Sequence, residues 1–448
     1  MTHAEPVTGS RPALRRELGT FSAAAIAIGT MIGSGIFRVP GSVAAEVGTA
    51  GGIGLLWLVG GAIALCGAVC AAELAAMYPE TGGEYVYLRE SWGRLPAFLF
   101  GWTRLLVLVP ASLGAIGLIF AAYFRSFLPV DASAERWIAI GAISVVMLLN
   151  YRSLLWSAAV ENVMSAAKVA ALLFVAVACM MLGDRSAGAF GTPAVLAPAT
   201  WTGFGLALVT AMWSYSGWSS AAAMGGEVRD PTRTLPRALL LGVFTVIVVY
   251  LAINAAYLYV LPIEAMAAST LVAADAAAAV FGEAGRTLVA ALVAISTFGA
   301  LQALMMYNPR FFFAMAGDNL LFRRIGSVHT RFHTPHGATL LTAALALGYV
   351  WFRSFEQLAQ AFILGVWPFH TLMVAAVFKL RREAPNRERP YRAWGYPLTP
   401  ALFVTASIAM ILVALVQRPG LTLFGFGVIV AGVPVYYRID RRRSPEPT

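Results

Sequence analysis

Apolar residues in this chain neither alternate nor keep to one helical face. They come in nearly unbroken runs, separated by short stretches rich in arginine, glycine and proline. A run of about 20 apolar residues wound as a helix crosses roughly 30 Å of hydrocarbon. Twelve runs of this kind can be marked, at about 18–46, 52–78, 96–124, 137–149, 157–182, 201–224, 235–261, 287–316, 338–351, 358–380, 398–416 and 421–437. The pattern predicts an all-α polytopic membrane protein. It divides into an N-terminal tail 1–17, one transmembrane domain 18–437 and a C-terminal tail 438–448. The connections are short and leave no room for a separate soluble catalytic domain. The longest outer connection, 262–286, holds the alanine-rich AMAASTLVAADAAAAVF and predicts helix near the outer surface, a lid or a strut.

Two runs are interrupted where the bilayer is driest. The first contains GTMIGSGIF, Gly29 to Phe37; five runs later comes WSYSGWSS, Trp213 to Ser220. An unsatisfied backbone group in lipid costs several kcal/mol, so irregular backbone survives there only beside protein, water or ligand. Glycine-interrupted segments at matching places in two halves point to an inverted-repeat transporter with its site between the breaks. At the first break, the amides of Gly33, Ser34 and Gly35 would open the outer half-helix and suit an anion. Carbonyls near Met31, and around Trp213 and Ser216 in the second break, suit an ammonium. An α-amino acid carries both groups about two bonds apart. The glycines equally suit close helix packing.

Composition adds limits. The chain is 59% hydrophobic and 12% charged, too apolar for a soluble domain of this length. With the N-terminus inside, the inner loops hold 23 arginines and lysines against 6 outside, so both termini are expected in the cytoplasm. Topology then explains the net charge of +10 without a nucleic-acid partner. Cys66, Cys70 and Cys179 lie inside runs and read as packing residues. No removable signal is evident at the N-terminus.

The chain resembles the amino acid-polyamine-organocation superfamily, in its L-amino-acid transporter branch. The likeness rests on GTMIGSGIF, YPETGGEYVYLRESWG, WSYSGW with GGEVRDPTRTLPRA, PRFFFAMAGDNLLF with HTRFHTPH, and RPYRAWGYPLTP, in that order. It implies twelve helices in a five-plus-five inverted repeat with helices 1 and 6 broken, plus two extra C-terminal helices. The repeats would be about 18–182 and 201–380, the extra helices about 398–437. It also implies alternating access. By position, the substrate carboxylate would meet the amides of Ser34, Gly35 and Ile36, and the ammonium the carbonyls of Met31, Trp213 and Ser216. Gly33, Ser214 and Gly217 complete this set, and Trp213 corresponds to an aromatic gate. Ser219 and Arg38 depart from the family pattern and are candidate selectivity positions. The loop 124–136 has no cysteine, so no covalent glycoprotein subunit is expected. The expected setting is a bacterial inner membrane, with amino acid substrates, lipid around the bundle, and no cofactor or metal.

Charges inside the runs raise further candidates. Lys168 lies mid-run, and its ammonium is expected to reach the broken first helix in place of a sodium ion or to be paired structurally. Arg38 faces the vestibule or pairs with Glu46. Glu73 and Arg104 are candidates for a mutual ion pair, and His370 for a hydrogen-bonded core histidine or a proton relay. His329, His333 and His336 read as a solvated loop rather than a metal site. No hydrolase motif, phosphate-binding loop or paired carboxylates appear, so an enzyme is not expected and a gradient or exchange must drive transport. Proton-coupled symport, or carriage of acidic or cationic amino acids, is the alternative; a membrane-embedded enzyme is the alternative of another class.

Overall fold

The computed structural model describes residues 14–184, 200–269, 271–352, 355–417 and 419–441. Most of the expected N-terminal tail, the C-terminal tail beyond 441, and Arg185, Arg353 and Arg418 lie outside the described residues.

Helices dominate because the runs bury no backbone polar group outside a helical ladder. Span one is two helices, α1 (Thr20–Met31) and α2 (Gly35–Val47), meeting at 44°. The Thr49 hydroxyl accepts from the Gly52 amide and caps α3 (Ala50–Met77). After the short α4 (Glu84–Trp92), α5 (Arg94–Thr103) and α6 (Val109–Arg125) run on through a π-helical segment, Arg104–Leu108, as one 32-residue crossing. One residue, Ser153, separates α7 (Glu135–Arg152) from α8 (Leu154–Leu182) and caps the latter through Trp156.

The remaining helices are α9 (Trp201–Ser214), α10 (Pro231–Val260), α11 (Ile263–Ala268), α12 (Val272–Phe281), α13 (Glu283–Gly317), α14 (His336–Phe352), α15 (Phe355–Glu383), α16 (Leu398–Gln417) and α17 (Pro419–Arg441). The apolar runs fall on these helices, except that only the first part of the sixth run, 201–214, is α-helix. By length and apolarity seven helices qualify as membrane crossings among the described residues, eight with the bent pair. The same residues form no sheet, only isolated bridges from Leu18 to Val228 and from Thr81 to Met224.

Both broken elements are central. The helix α1 packs against α8, α10 and α13, and α2 against α9 and α11. Large apolar side chains that face outward, such as Trp156, Val177 and Phe244, supply the lipid surface. The expected surface helix in 262–286 is divided into α11 and α12, and α11 lies on α2. Span six differs from the expectation: beyond Ser214 it continues only as 3₁₀ turns, Ser220–Ala223 and Gly225–Glu227. The first of these turns packs against α1, α3, α10 and α13, which hold it in this course.

Candidate substrate site

The two breaks touch. A Cβ on Gly35 would lie 2.5 Å from Ser214 Oγ and 3.0 Å from Ser214 Cα, so only glycine lets α2 approach α9 this closely. Gly217 has φ +107°, a backbone that side chains other than glycine rarely adopt, and it lies against Thr30. Tyr250 on α10 reaches both breaks: its hydroxyl stands 2.7 Å from the Met31 carbonyl and 2.9 Å from that of Ser214, binding the two half-helix ends. Tyr215 and Trp57 pack on its ring, and the Tyr215 hydroxyl donates to Trp57 O at 2.9 Å.

A cavity of about 50 Å³ lies between the breaks. Met31, Gly33, Ser34, Gly35, Trp213, Ser214, Ser216 and Gly217 all line it, and Ile36 is buried behind. The amides of Ser34, Gly35 and Ile36 donate to nothing among the described residues. They form the opening turn of α2, where the helix dipole is positive. Gly33 departs from the expectation: the chain doubles back, and its amide donates to Met31 O at 2.9 Å. Met31 O therefore already accepts from Gly33 and Tyr250. Trp213 O accepts the Ser216 amide at 3.1 Å, while Ser216 O accepts nothing among the described residues. The cavity thus has the free donors of Ser34 and Gly35 on one side, with the Ile36 amide behind them, and main-chain acceptors on the other.

Behind the first break sits Lys168, 2% exposed. Its Nζ donates to Gly29 O and Ile32 O, each at 3.0 Å, and to Ser296 O at 3.3 Å. Ser296 Oγ adds a bond to Ile32 O at 3.1 Å. One ammonium thereby satisfies carbonyls that the broken ladder of α1 leaves open.

Residues 18–437, nearly the whole chain, match the amino acid permease family. The chain belongs to that family. The permease is 31% identical over 437 residues to the serine/threonine exchanger SteT of Bacillus subtilis (strain 168), covering 96% of this chain and 98% of that one. It is 30% identical to the human cystine/glutamate transporter over 439 residues, covering 97% and 87%. It is 29% identical to the mouse b(0,+)-type amino acid transporter 1 over 435 residues, covering 95% and 88%. It is a multi-pass membrane protein of the amino acid-polyamine-organocation superfamily and functions as an amino acid permease or exchanger.

Other expected residues stand apart from the permease's cavity. Arg38 is exposed one turn into α2 and acts electrostatically on Tyr123 of α6. Ser219 does not line the cavity; its hydroxyl donates to Glu84 Oε1. His370 Nε2 lies 3.2 Å from the same carboxylate oxygen, and its ring packs on Trp218. The expected pairing of Glu73 with Arg104 is corrected. Arg104, in the π segment, faces Glu84 at 3.4 Å and Asn308 at 2.9 Å, while Glu73 meets Arg381 at 2.6 Å and Arg389 at 3.4 Å. Glu73 lies one turn from the end of α3 and faces the chain after α15, out of reach of the bundle centre.

Several cavity residues escaped the sequence reading: Thr30, Ser112, Ile116, Leu304 and Tyr307. None carries a charge; Thr30 lies in the first break but only its glycines and serine drew attention, and a serine or tyrosine inside an apolar run carries no spacing signal. Arg104 Nη2 stands 3.5 Å from the Tyr307 hydroxyl and so joins the cavity wall to the Glu84 cluster.

Proposed function

We propose that this permease carries small neutral L-amino acids across a bacterial inner membrane by alternating access, as a sodium-independent exchanger or facilitator. Twelve crossings in two inverted repeats, with both termini in the cytoplasm, fit the run pattern and the arginine-rich inner loops. The observation that carries the reading is the set of unpartnered amides at Ser34, Gly35 and Ile36, facing main-chain acceptors across the cavity. The carboxylate takes the amides, and the ammonium takes the carbonyls of Trp213 and Ser216, with Met31 beside them.

Cavity size narrows the side chain. A site of 50 Å³ has room for about three to five waters, the scale of glycine, alanine, serine or threonine. Among the described residues no charged side chain lines it, and the remaining walls, Thr30, Ser112, Ile116, Leu304 and Tyr307, offer three hydroxyls and two apolar surfaces. This disfavours acidic and cationic substrates, and the serine/threonine exchange in the name of the Bacillus relative fits the same size. Lys168 serves where other transporters hold sodium, so no cation need bind.

Thermal stability of the purified permease across the twenty amino acids tests this, because a ligand of the folded state raises apparent stability. Glycine, alanine, serine and threonine should raise the melting temperature, and phenylalanine, glutamate and arginine should not. Stabilisation by glutamate or arginine alone would reject the reading.

A further inference from the structure

A second hollow, of about 190 Å³, lies away from the substrate cavity, where the segment before α1, the α7–α8 junction and the loop before α14 meet. Arg15, Arg152 and Arg331 line it, one from each stretch, together with His333 and a single carboxylate, Glu17. None of the three guanidinium groups has a carboxylate partner among the described residues. Three cations converging on one acid leave a net positive hollow, and its volume is far above the roughly 10–15 Å³ that one water needs. Leu154 and Leu155 also line it, and their amides, in the first turn of α8, have no partner within the helix.

The hollow is held in shape. Thr334 Oγ1 donates to Tyr151 O at 2.7 Å, and the rings of His329, Phe332 and His336 pack around Tyr151. His329 Nδ1 accepts from the amides of Arg331 and Phe332, at 3.1 and 3.3 Å. The three histidines are thus parts of a built loop, where the sequence suggests a solvated one. On the opposite wall, the amides of Glu17 and Leu18 both donate to Glu227 O at 2.9 Å, which fixes the segment that carries Arg15.

We infer that this hollow binds a phosphate-bearing anion, bridged by Arg15, Arg152 and Arg331. The neighbouring surface points to a membrane source: Leu155 and Trp156 on α8 and Phe21 on α1 are 54%, 71% and 66% exposed, apolar and aromatic side chains in the first turns of two apolar helices, of the kind that sit at a membrane interface. With the proposed orientation, the occupant is the phosphodiester of an anionic inner-leaflet phospholipid. Guanidinium suits it, since its fixed fork matches two phosphate oxygens. A bound phosphate ties the segment ahead of α1 to the start of α8 and to the loop before α14, across the seam where the Leu18–Val228 bridge holds α1 to the end of span six.

The test uses the full-length permease in detergent. One arm adds inorganic phosphate against chloride at equal ionic strength; the other adds mixed micelles of phosphatidylglycerol against phosphatidylcholine. Melting temperature is read for the parent and for Arg152→Gln and Arg331→Gln. The parent should be stabilised by phosphatidylglycerol over phosphatidylcholine, and each variant should need roughly tenfold more of the anion for the same shift. Stabilisation by inorganic phosphate as well would assign the site to the phosphate group itself; stabilisation by the lipid alone would assign it to the headgroup in its membrane setting. Equal melting of parent and both variants in every condition would overturn the inference. The substrate-induced shift, measured on the same variants, shows that they fold and separates this outcome from any failure of the transport reading.

Discussion

Lys168 shows how much a single residue can reveal. A lysine near the centre of an apolar run costs about 2.5–3.5 kcal/mol on insertion scales, so something in the fold must offset it. The sequence therefore announced that a partner existed, and the broken helix was the obvious supplier of bare carbonyls. Which carbonyls could not be read, because Ser296 comes from a helix 128 positions away. Arg104 is the opposite case: two acids, Glu73 and Glu84, lay near it along the sequence, and only packing selects Glu84. Replacing Lys168 by methionine keeps the volume and removes the donor, leaving buried carbonyls at a cost of about 1–3 kcal/mol each. Uptake into proteoliposomes should be undiminished in the parent when choline replaces sodium, and should fall at least about tenfold in Lys168→Met in either salt. A parent that requires sodium would show that the ammonium does not stand in for that ion.

Helices and their interruptions were the most legible level, since the apolar runs other than the sixth became helices close to their expected ends. The break in span one was visible from three glycines and a serine. The 3₁₀ course after α9 was not, because Ser220 to Ala223 reads locally as good helix, and tertiary contacts with α1, α3 and α10 decide it. That stretch ends at Glu227, whose carboxylate takes Arg310 of α13 in a two-bonded pair at 2.8 and 2.7 Å, with both side chains at most 1% exposed. Removing one partner of such a pair strands a buried charge at about 3–5 kcal/mol, whereas removing both is far milder. Chemical denaturation of Arg310→Met should show a loss of that size, and the double variant Glu227→Gln, Arg310→Met should regain a large part of it. Additive losses would mean that the two side chains do not depend on each other.

The bundle as a unit follows from the same physics: helices whose outer faces meet lipid, and one polar interior where two helices unwind against each other. The proposed orientation puts the arginine-rich loops on the cytoplasmic side, and bridges from Leu18 to Val228 and from Thr81 to Met224 strap the end of span six to the segments before α1 and α4. The proposed alternating access predicts that these contacts part when the cavity opens to that side. What stayed hidden in the sequence was the cavity's volume and its outer walls, because α6 and α13 bring Ser112 and Tyr307 there through packing alone. The central claim is that main-chain amides at the break hold the substrate's carboxylate. Calorimetric binding of L-serine and L-serinamide to the purified permease tests it most directly, since the two ligands differ only in the group meant for those amides. Serine should bind, and serinamide at least about tenfold more weakly, as expected for losing charge-assisted hydrogen bonds; equal affinities would contradict the account.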